Sequence, residues 1–522
     1  MDQKQILNYF MGIGVIISSD LFKKLPTDFD YISFFNTAEQ KLNSKPFVIN
    51  EDLVKKILGD NYFDKENESL NSPIQLVIER ETQNEVETCS NVKIIKSYVA
   101  EENKRNVQTF VNHFKSRYES LRKILLFRQD LQESISIVRL GKKQSGERVS
   151  IIGLVLDKHE TKNGNIKLTL EDSTGTIMVL VNKTKEEIFN IAKDLVNDEV
   201  IGISGVMGKN ILFCNSLYLP DIPLNHELKK APDEAYAVFI SDIHFGIKNF
   251  ISEDFLKFVA WLKGEFGNET HRQIARNVKY LFITGDVVEG VGIYPGQEED
   301  LEIKDIYAQY EEATRYLKMI PESVQIIICA GNHDAVRISE PQPVFDKNIT
   351  KGFYEMPNVH IVSNPAIVNI HSSEIFPGFN VMMYHGFSFP YYADNVPSLR
   401  AAGGIFRCDL VMKYLLQKRH LAPSHGSNQY IPDPRGDSLV IDTVPDIFVS
   451  GHIHQISVSN YRNVTLINSA CWVVQSEDNA KRGIVPSPAK VPILNLKTRQ
   501  VKIMNFLSDD VKVLLSERMG AT

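Results

Sequence analysis

Cysteine is sparse in this chain. Five occur among 522 residues, Cys89, Cys214, Cys329, Cys408 and Cys471, and none stands in C-x-x-C spacing. An odd, scattered set excludes a zinc ribbon and argues against a disulfide framework, so a reducing cytoplasm is the expected location. Long apolar runs are missing too: none reaches the roughly 18 residues that a membrane span requires, and no membrane association is expected. The opening Met1-Asp2-Gln3-Lys4 lacks a basic segment leading into an apolar core, so no secretory leader is expected. There is no basic excess either. Lys and Arg number 58 against 65 Asp and Glu, a net charge of -7. A nucleic-acid binder working alone usually carries the opposite sign. Any polyanionic ligand must therefore be met by a local basic surface, by a partner or by bound divalent cations. What remains is the composition of a folded protein, 43% hydrophobic and 24% charged. A chain of this length supports about two to four domains.

Hydrophobic periodicity divides the chain. Within residues 1–70, Ile6, Tyr9, Phe10 and Ile13, and later Leu53, Ile57 and Leu58, follow helical spacing and indicate a small helical module. Residues 71–133 read as a linker followed by an amphipathic helix. In that helix Val107, Phe110, Val111, Phe114, Tyr118, Leu121, Ile124 and Leu125 form one stripe, with Lys115, Arg117, Arg122 and Lys123 largely off it. Packing on a neighbouring domain is its simplest role. From Ser134 the period becomes two. Val149–Val155, Lys167–Asp172, Thr176–Val181, Glu199–Val206 and Asn210–Cys214 read as five strands, with an Asn163-Gly164 hairpin turn and a helical piece near Lys185–Leu195. This is the pattern of an OB-type barrel over residues 134–222. Such barrels often hold single strands, but few aromatics are interleaved here, and packing accounts for it as well. After the Pro220-Asp221-Ile222-Pro223 joint, apolar strands alternate with helices from 236 to 507, the sign of an α/β layered sandwich. Residues 508–522 are a tail.

That last region holds the chemistry. Five motifs each close an apolar run: Ser241-Asp242-Ile243-His244, Gly285-Asp286, Gly331-Asn332-His333-Asp334, His385-Gly386 and Gly451-His452-Ile453-His454. Strands deliver such residues to the edge of a sheet, where α/β sites form. If the segments are extended, Asp242 and His244 share a face, and so do His452 and His454. Carboxylate, imidazole and amide oxygen together suit Mn²⁺, Fe²⁺ or Zn²⁺ better than Ca²⁺. Seven donors, Asp242, His244, Asp286, Asn332, His385, His452 and His454, exceed one tetrahedral ion. They suit two ions about 3.5–4 Å apart that clamp the attacking and leaving oxygens of a phosphodiester. His333 is left over, placed to protonate a leaving oxygen. Asp334 is expected to orient His333. A lone histidine is usually structural, and His113, His271, His360, His371, His420 and His425 are read that way.

These motifs resemble the calcineurin-like metallophosphoesterase superfamily. The stretch Gly285-Asp286-Val287-Val288-Glu289-Gly290-Val291-Gly292-Ile293-Tyr294-Pro295-Gly296-Gln297, the Gly331–Arg337 and Glu340-Pro341-Gln342-Pro343 segments, Lys418–Pro423 and Val444–Phe448 are similar to the small subunit of archaeal D-family DNA polymerases. The resemblance implies a four-layer metallophosphoesterase sandwich behind the barrel. It implies that Asp242, His244, Asp286 and His454 hold one metal, that Asp286, Asn332, His385 and His452 hold the second, and that His333 is the catalytic histidine. It further implies two divalent ions, Mn²⁺ foremost with Mg²⁺, Fe²⁺ or Zn²⁺ as others, and a proofreading 3′→5′ exonuclease acting on a mismatched or single-stranded DNA 3′ end. The partner implied is the large polymerase subunit, with the sliding clamp reached through the complex. Two other readings stand beside it: a free-standing repair nuclease or protein phosphatase, and a structural B-subunit with a vestigial site.

Overall fold

In the computed structural model the described residues are 92–100, 104–433, 435–474 and 486–508, with short pieces before residue 55. The chain forms two compact units, Met1–Glu87 and Thr88–Thr522. In the first, Ile16–Ile17 pairs in parallel with Val48–Ile49, and Phe34, Phe35 and Val54 are buried in helical backbone. The helical spacing read at Ile6–Ile13 and Leu53–Leu58 lies, Val54 apart, outside the described residues.

The second unit opens with strand β1 (Val92–Ser97) and helix α1 (Val107–Leu125). Asn106 starts the helix: its side chain accepts the Thr109 amide, and Thr109 returns a bond to the Asn106 amide. Tyr118, Leu121 and Leu125 bury against Ile152, Leu154 and Val200 of the barrel and against Val440 beyond it. The stripe behaves as expected only at its C-terminal end, since Val107, Phe110 and Val111 are exposed. Arg117, read as lying off the stripe, is buried and paired with Asp437 at 2.6 Å.

The barrel is closed in the order β2-β3-β4-β6-β5. Its strands are β2 (Arg148–Glu160), β3 (Ile166–Asp172), β4 (Gly175–Val181), β5 (Val200–Met207) and β6 (Ile211–Tyr218), with helix α2 (Glu186–Lys193) between β4 and β5. Alternation does the work here. Ile166, Leu168 and Leu170 point inward while Lys167 and Thr169 point out, and each fully buried Leu or Ile contributes about 1.5–3 kcal/mol.

The phosphoesterase region stacks two six-stranded sheets. The first runs β10 (Val359–Ile361), β9 (Gln325–Cys329), β8 (Val278–Thr284), β7 (Tyr236–Ile240), β16 (Lys490–Asn495), β17 (Val501–Asn505). The second runs β14 (Ser457–Tyr461), β15 (Val464–Asn468), β13 (Ile447–Ser450), β12 (Phe379–Met383), β11 (Ala366–Ile370) and β1. Phe239, Phe282, Ile327, Val381, Val449 and Ile467 fill the space between them. Helices α3 (Ser252–Leu262) and α4 (Ile306–Leu317) supply the core on one outer face, and α5 (Cys408–Lys418) that on the other. The result is the expected four-layer α/β sandwich behind an OB-type barrel. One boundary differs. β1, inside the segment read as a linker, pairs antiparallel with β11 and completes the second sheet, so the sandwich draws on chain from both sides of the barrel. Among the described residues no helix is long and apolar enough to cross a membrane, and Cys214, Cys329, Cys408 and Cys471 are free thiols.

Candidate metal centre

The C-terminal ends of β7, β8, β9, β12 and β13 converge, and each is followed within three residues by a motif residue: Asp242, Asp286, Asn332, His385 and His452. The loops after β7 and β8 are stitched together: the Asp242 amide donates to Gly285 O at 3.0 Å, and the Ile243 and His244 amides donate to Asp286 O at 2.9 and 3.1 Å. These loops are tight. Asp242, His244, Asp286, His452 and His454 all have φ between 49° and 68°. That left-handed conformation is uncommon away from glycine and collects at functional sites. The expectation of extended segments with shared faces is therefore corrected. Asp242 and His244 do meet, but His452 and His454 point into different halves of the site. Gly331 shows how closely the strands approach: a Cβ there would run into the Asp286 carboxylate and the His385 ring.

Two groupings result. In one, Asp242, His244 and His454 gather, with His244 Nε2 3.1 Å from His454 Nε2 and His454 Nε2 3.4 Å from Asp242 Oδ1. In the other, Asp286, His385 and His452 gather, with His385 Nε2 3.2 Å from Asp286 Oδ2 and 3.0 Å from Asn332 Oδ1. Asp286 belongs to both halves, since its Oδ2 is also 3.9 Å from His244 Nε2. His333 lies beside the first, its ring centroid 4.7 Å from that of His244. All eight residues anticipated from the sequence are thus in one place.

The donor set fits cations. His385 Nδ1–H donates to Thr284 O at 2.9 Å, and His244 Nδ1–H donates to the Glu289 carboxylate at 2.7 Å. Each Nε2 is thereby left as a lone pair. Lone pairs of imidazole, carboxylate and amide then face one another within 3–4 Å, which repels unless a positive charge lies between them. The electrostatics demand the same positive charge: burial opposes charge on His385, yet Asp286 and Asp242 raise its imidazole to about 9, so a proton occupies Nε2 wherever a cation does not take its place. Burial likewise opposes charge on Asp286, and His385, His333 and His244 still hold it well below the ordinary carboxylate range.

Glu289 had no signal of its own in the sequence. It is buried, and its carboxyl is held below the usual range by His244 and His333 against the cost of burial. Its main-chain carbonyl accepts His333 Nδ1–H at 2.9 Å, and its carboxylate stands 3.6 Å from the same nitrogen. Orientation of His333 therefore falls to Glu289, not to Asp334 as expected. The Asp334 carboxyl, pushed up to about 7 by burial and by Asp286, takes the amides of Gly331, Val287 and Val288 and the Tyr310 hydroxyl. It braces the loops that carry Asp286 and Asn332.

Fold and site together define a calcineurin-like phosphoesterase. The chain matches the family described as calcineurin-like phosphoesterase over residues 236–456 and an OB-fold nucleic acid binding domain over residues 149–214. Curated relatives are more particular. The chain is 36% identical to the DNA polymerase II small subunit of Methanothermobacter thermautotrophicus over 94% of its own length and 98% of that protein. It is 38% identical to that of Archaeoglobus fulgidus over 80% and 81% of the two chains, and 39% identical to that of Pyrococcus furiosus over 80% and 67%. The chain belongs to the archaeal D-family DNA polymerase small-subunit family.

Proposed function

We propose that this chain is the proofreading 3′→5′ exonuclease subunit of a D-family DNA polymerase, working beside a large polymerising subunit. The observation that carries the reading is the complete donor set with His333 at its edge: seven side chains aimed into one centre, none replaced by an apolar residue. Asp242, His244, Asp286 and His454 would hold one divalent ion, and Asp286, Asn332, His385 and His452 the other, Mn²⁺ being the first candidate. When bound, such ions supply an acidified water and neutralise charge on the phosphate.

The residues do the rest. His333 Nδ1–H is spent on the Glu289 carbonyl, so Nε2 is the atom free to face the substrate. With a proton there it stabilises the scissile phosphate and delivers that proton to the departing 3′-oxygen. The left-handed loops fix the donors before substrate arrives, so little reorganisation is left for the reaction itself. The acidic balance of the chain fits a division of labour in which the large subunit grips DNA.

The test is a 3′→5′ assay on 5′-labelled DNA with a mismatched 3′ end, in Mn²⁺, with and without a large subunit. Wild type shortens the strand stepwise, and His333→Ala binds metal but does not. No shortening by either, with the large subunit present, would overturn the reading in favour of a structural B-subunit or another phosphoesterase.

A further inference from the structure

The segment Glu340-Pro341-Gln342, similar to the polymerase subunits yet given no task by the centre described above, lies directly behind one half of it. Gln342 is buried. Its Nε2 donates to Gly331 O at 2.9 Å and to Arg337 O at 3.1 Å. Its Oε1 accepts from Asn364 Nδ2 at 2.7 Å. The two residues are joined a second time through their backbones, Gln342 N to Asn364 O at 2.7 Å and Asn364 N to Gln342 O at 3.1 Å. Asn364 Oδ1 in turn accepts the amide of His385 at 2.9 Å. Glu340 adds a neighbouring tie: its carboxylate accepts the hydroxyl of Tyr384 at 3.0 Å and the side-chain amide of Asn428.

These bonds have a common destination. Gly331 immediately precedes Asn332, and Tyr384 immediately precedes His385. The brace therefore grips the backbone just before each of two donors whose side chains meet at 3.0 Å. No bond of Gln342 or Asn364 reaches Asp242, His244 or His454. An amide that merely satisfied buried backbone would have no reason to join these two loops.

We propose that Gln342, with Asn364 as its arm, is a positioning residue that sets the Asn332–His385 half of the metal centre and leaves the other half alone. The proposal rests on the two-ion reading of the site. It takes no part in proton transfer or in contact with DNA. It acts through the spacing of two donors, as partners behind a ligand do elsewhere, where their loss typically costs 10–100-fold in metal affinity.

The experiment is Mn²⁺ binding to the full chain, by equilibrium dialysis with elemental analysis and by calorimetry, for wild type, Gln342→Met and Asn364→Ala. Asn358→Ala serves as control, because it removes a buried amide bond to Val324 O at the opposite end of β9. The expected result is two ions per wild-type chain, one of them weakened about 10–100-fold in both brace variants and the other unchanged. The control keeps both affinities. Activity in the brace variants should recover as Mn²⁺ is raised, showing a shifted metal dependence with kcat near wild type. Two ions held with wild-type affinity in Gln342→Met, or in Asn364→Ala should the first variant not fold, would overturn the brace. Equal weakening of both ions would overturn its selectivity. Wild type binding no Mn²⁺ would overturn the two-ion reading itself, and the brace with it.

Discussion

The Glu289 carboxylate lies 2.7 Å from Nδ1 of His244. Glu289 sits behind His244, one of the proposed metal donors, and fixes which imidazole nitrogen faces the centre. Its removal should be felt as metal affinity first. Glu289→Gln keeps the shape but offers His244 Nδ1–H a weaker, neutral acceptor. Mn²⁺ affinity at the Asp242–His244–His454 half is expected to fall about 10–100-fold, with the midpoint of thermal unfolding of the metal-free chain little changed. Isothermal titration of the variant checks this. Unaltered affinity would mean that His244 needs no partner to keep its tautomer.

Asp286 is the donor common to both halves, and its Oδ1 also receives the His333 amide at 2.8 Å. Asp286→Ala should therefore be the most damaging single substitution at the site, releasing both ions and displacing His333. Elemental analysis after dialysis against Mn²⁺ should find less than one ion per chain. Two ions and wild-type activity would remove Asp286 from the bridging position.

Acid should loosen the attachment of α1. His420 is buried, with Nε2–H donating to Asp437 at 2.8 Å and Nδ1 accepting the Ala422 amide at 3.0 Å. A second proton has no room, since it would face an N–H. Burial, and then the Arg117 charge, hold the imidazole down at about 4. Asp437, opposed by burial but held by Arg117 and His420, stays well below its usual range. For both groups the unfolded chain binds more protons: the histidine's contribution is full above its free value of about 6.5 and falls as pH drops toward 4, whereas that of Asp437 is lost only below its free value of about 3.9. The histidine alone is worth on the order of 3 kcal/mol across that window. Denaturant midpoints measured between pH 7.5 and 4.5 should fall for wild type and fall less for His420→Gln. Parallel slopes would exclude the histidine as the sensor.

How far all this could be read from the chain differs by element. The barrel was legible because its core residues alternate over short, turn-bounded runs. The donors were legible because each follows a buried strand within four residues, a spacing set by where parallel strands end. β1 was not. Its partner Ala366–Ile370 is far away in sequence, and Ile94 and Ile95 are both exposed, so no alternation marks it. Glu289 and Gln342 stood inside recognisable segments without any spacing that announced a task, because their partners are backbone atoms and ring nitrogens brought in by other strands. The left-handed turns at Asp242 and His454 were hidden for a related reason: an Asp-x-His or His-x-His string reads as extended until the loops that hold it are known.

Gly331 offers the sharpest separation between fold and site. Its backbone is not in the left-handed region, so alanine brings no conformational penalty there. The added methyl would nonetheless press on the Asp286 carboxylate and amide and on the His385 ring. Overpacking of this kind costs about 1–3 kcal/mol, which a domain with two sheet cores can bear. The donors cannot bear it so well, since displacement by about 1 Å is enough to lose roughly 100-fold in rate. Gly331→Ala should therefore stay folded, with a lowered melting temperature, while the proposed nuclease activity drops at least about 100-fold and Mn²⁺ binding weakens. Gly141→Ala is the matched control: it also lies outside the left-handed region, and its new methyl would meet nothing closer than Val138 O at 3.5 Å. Activity within a few fold of wild type in Gly331→Ala, at equal metal loading, would show that the loop after β9 can part from those after β8 and β12 without cost, and that the close approach seen here is not what holds the donors in register.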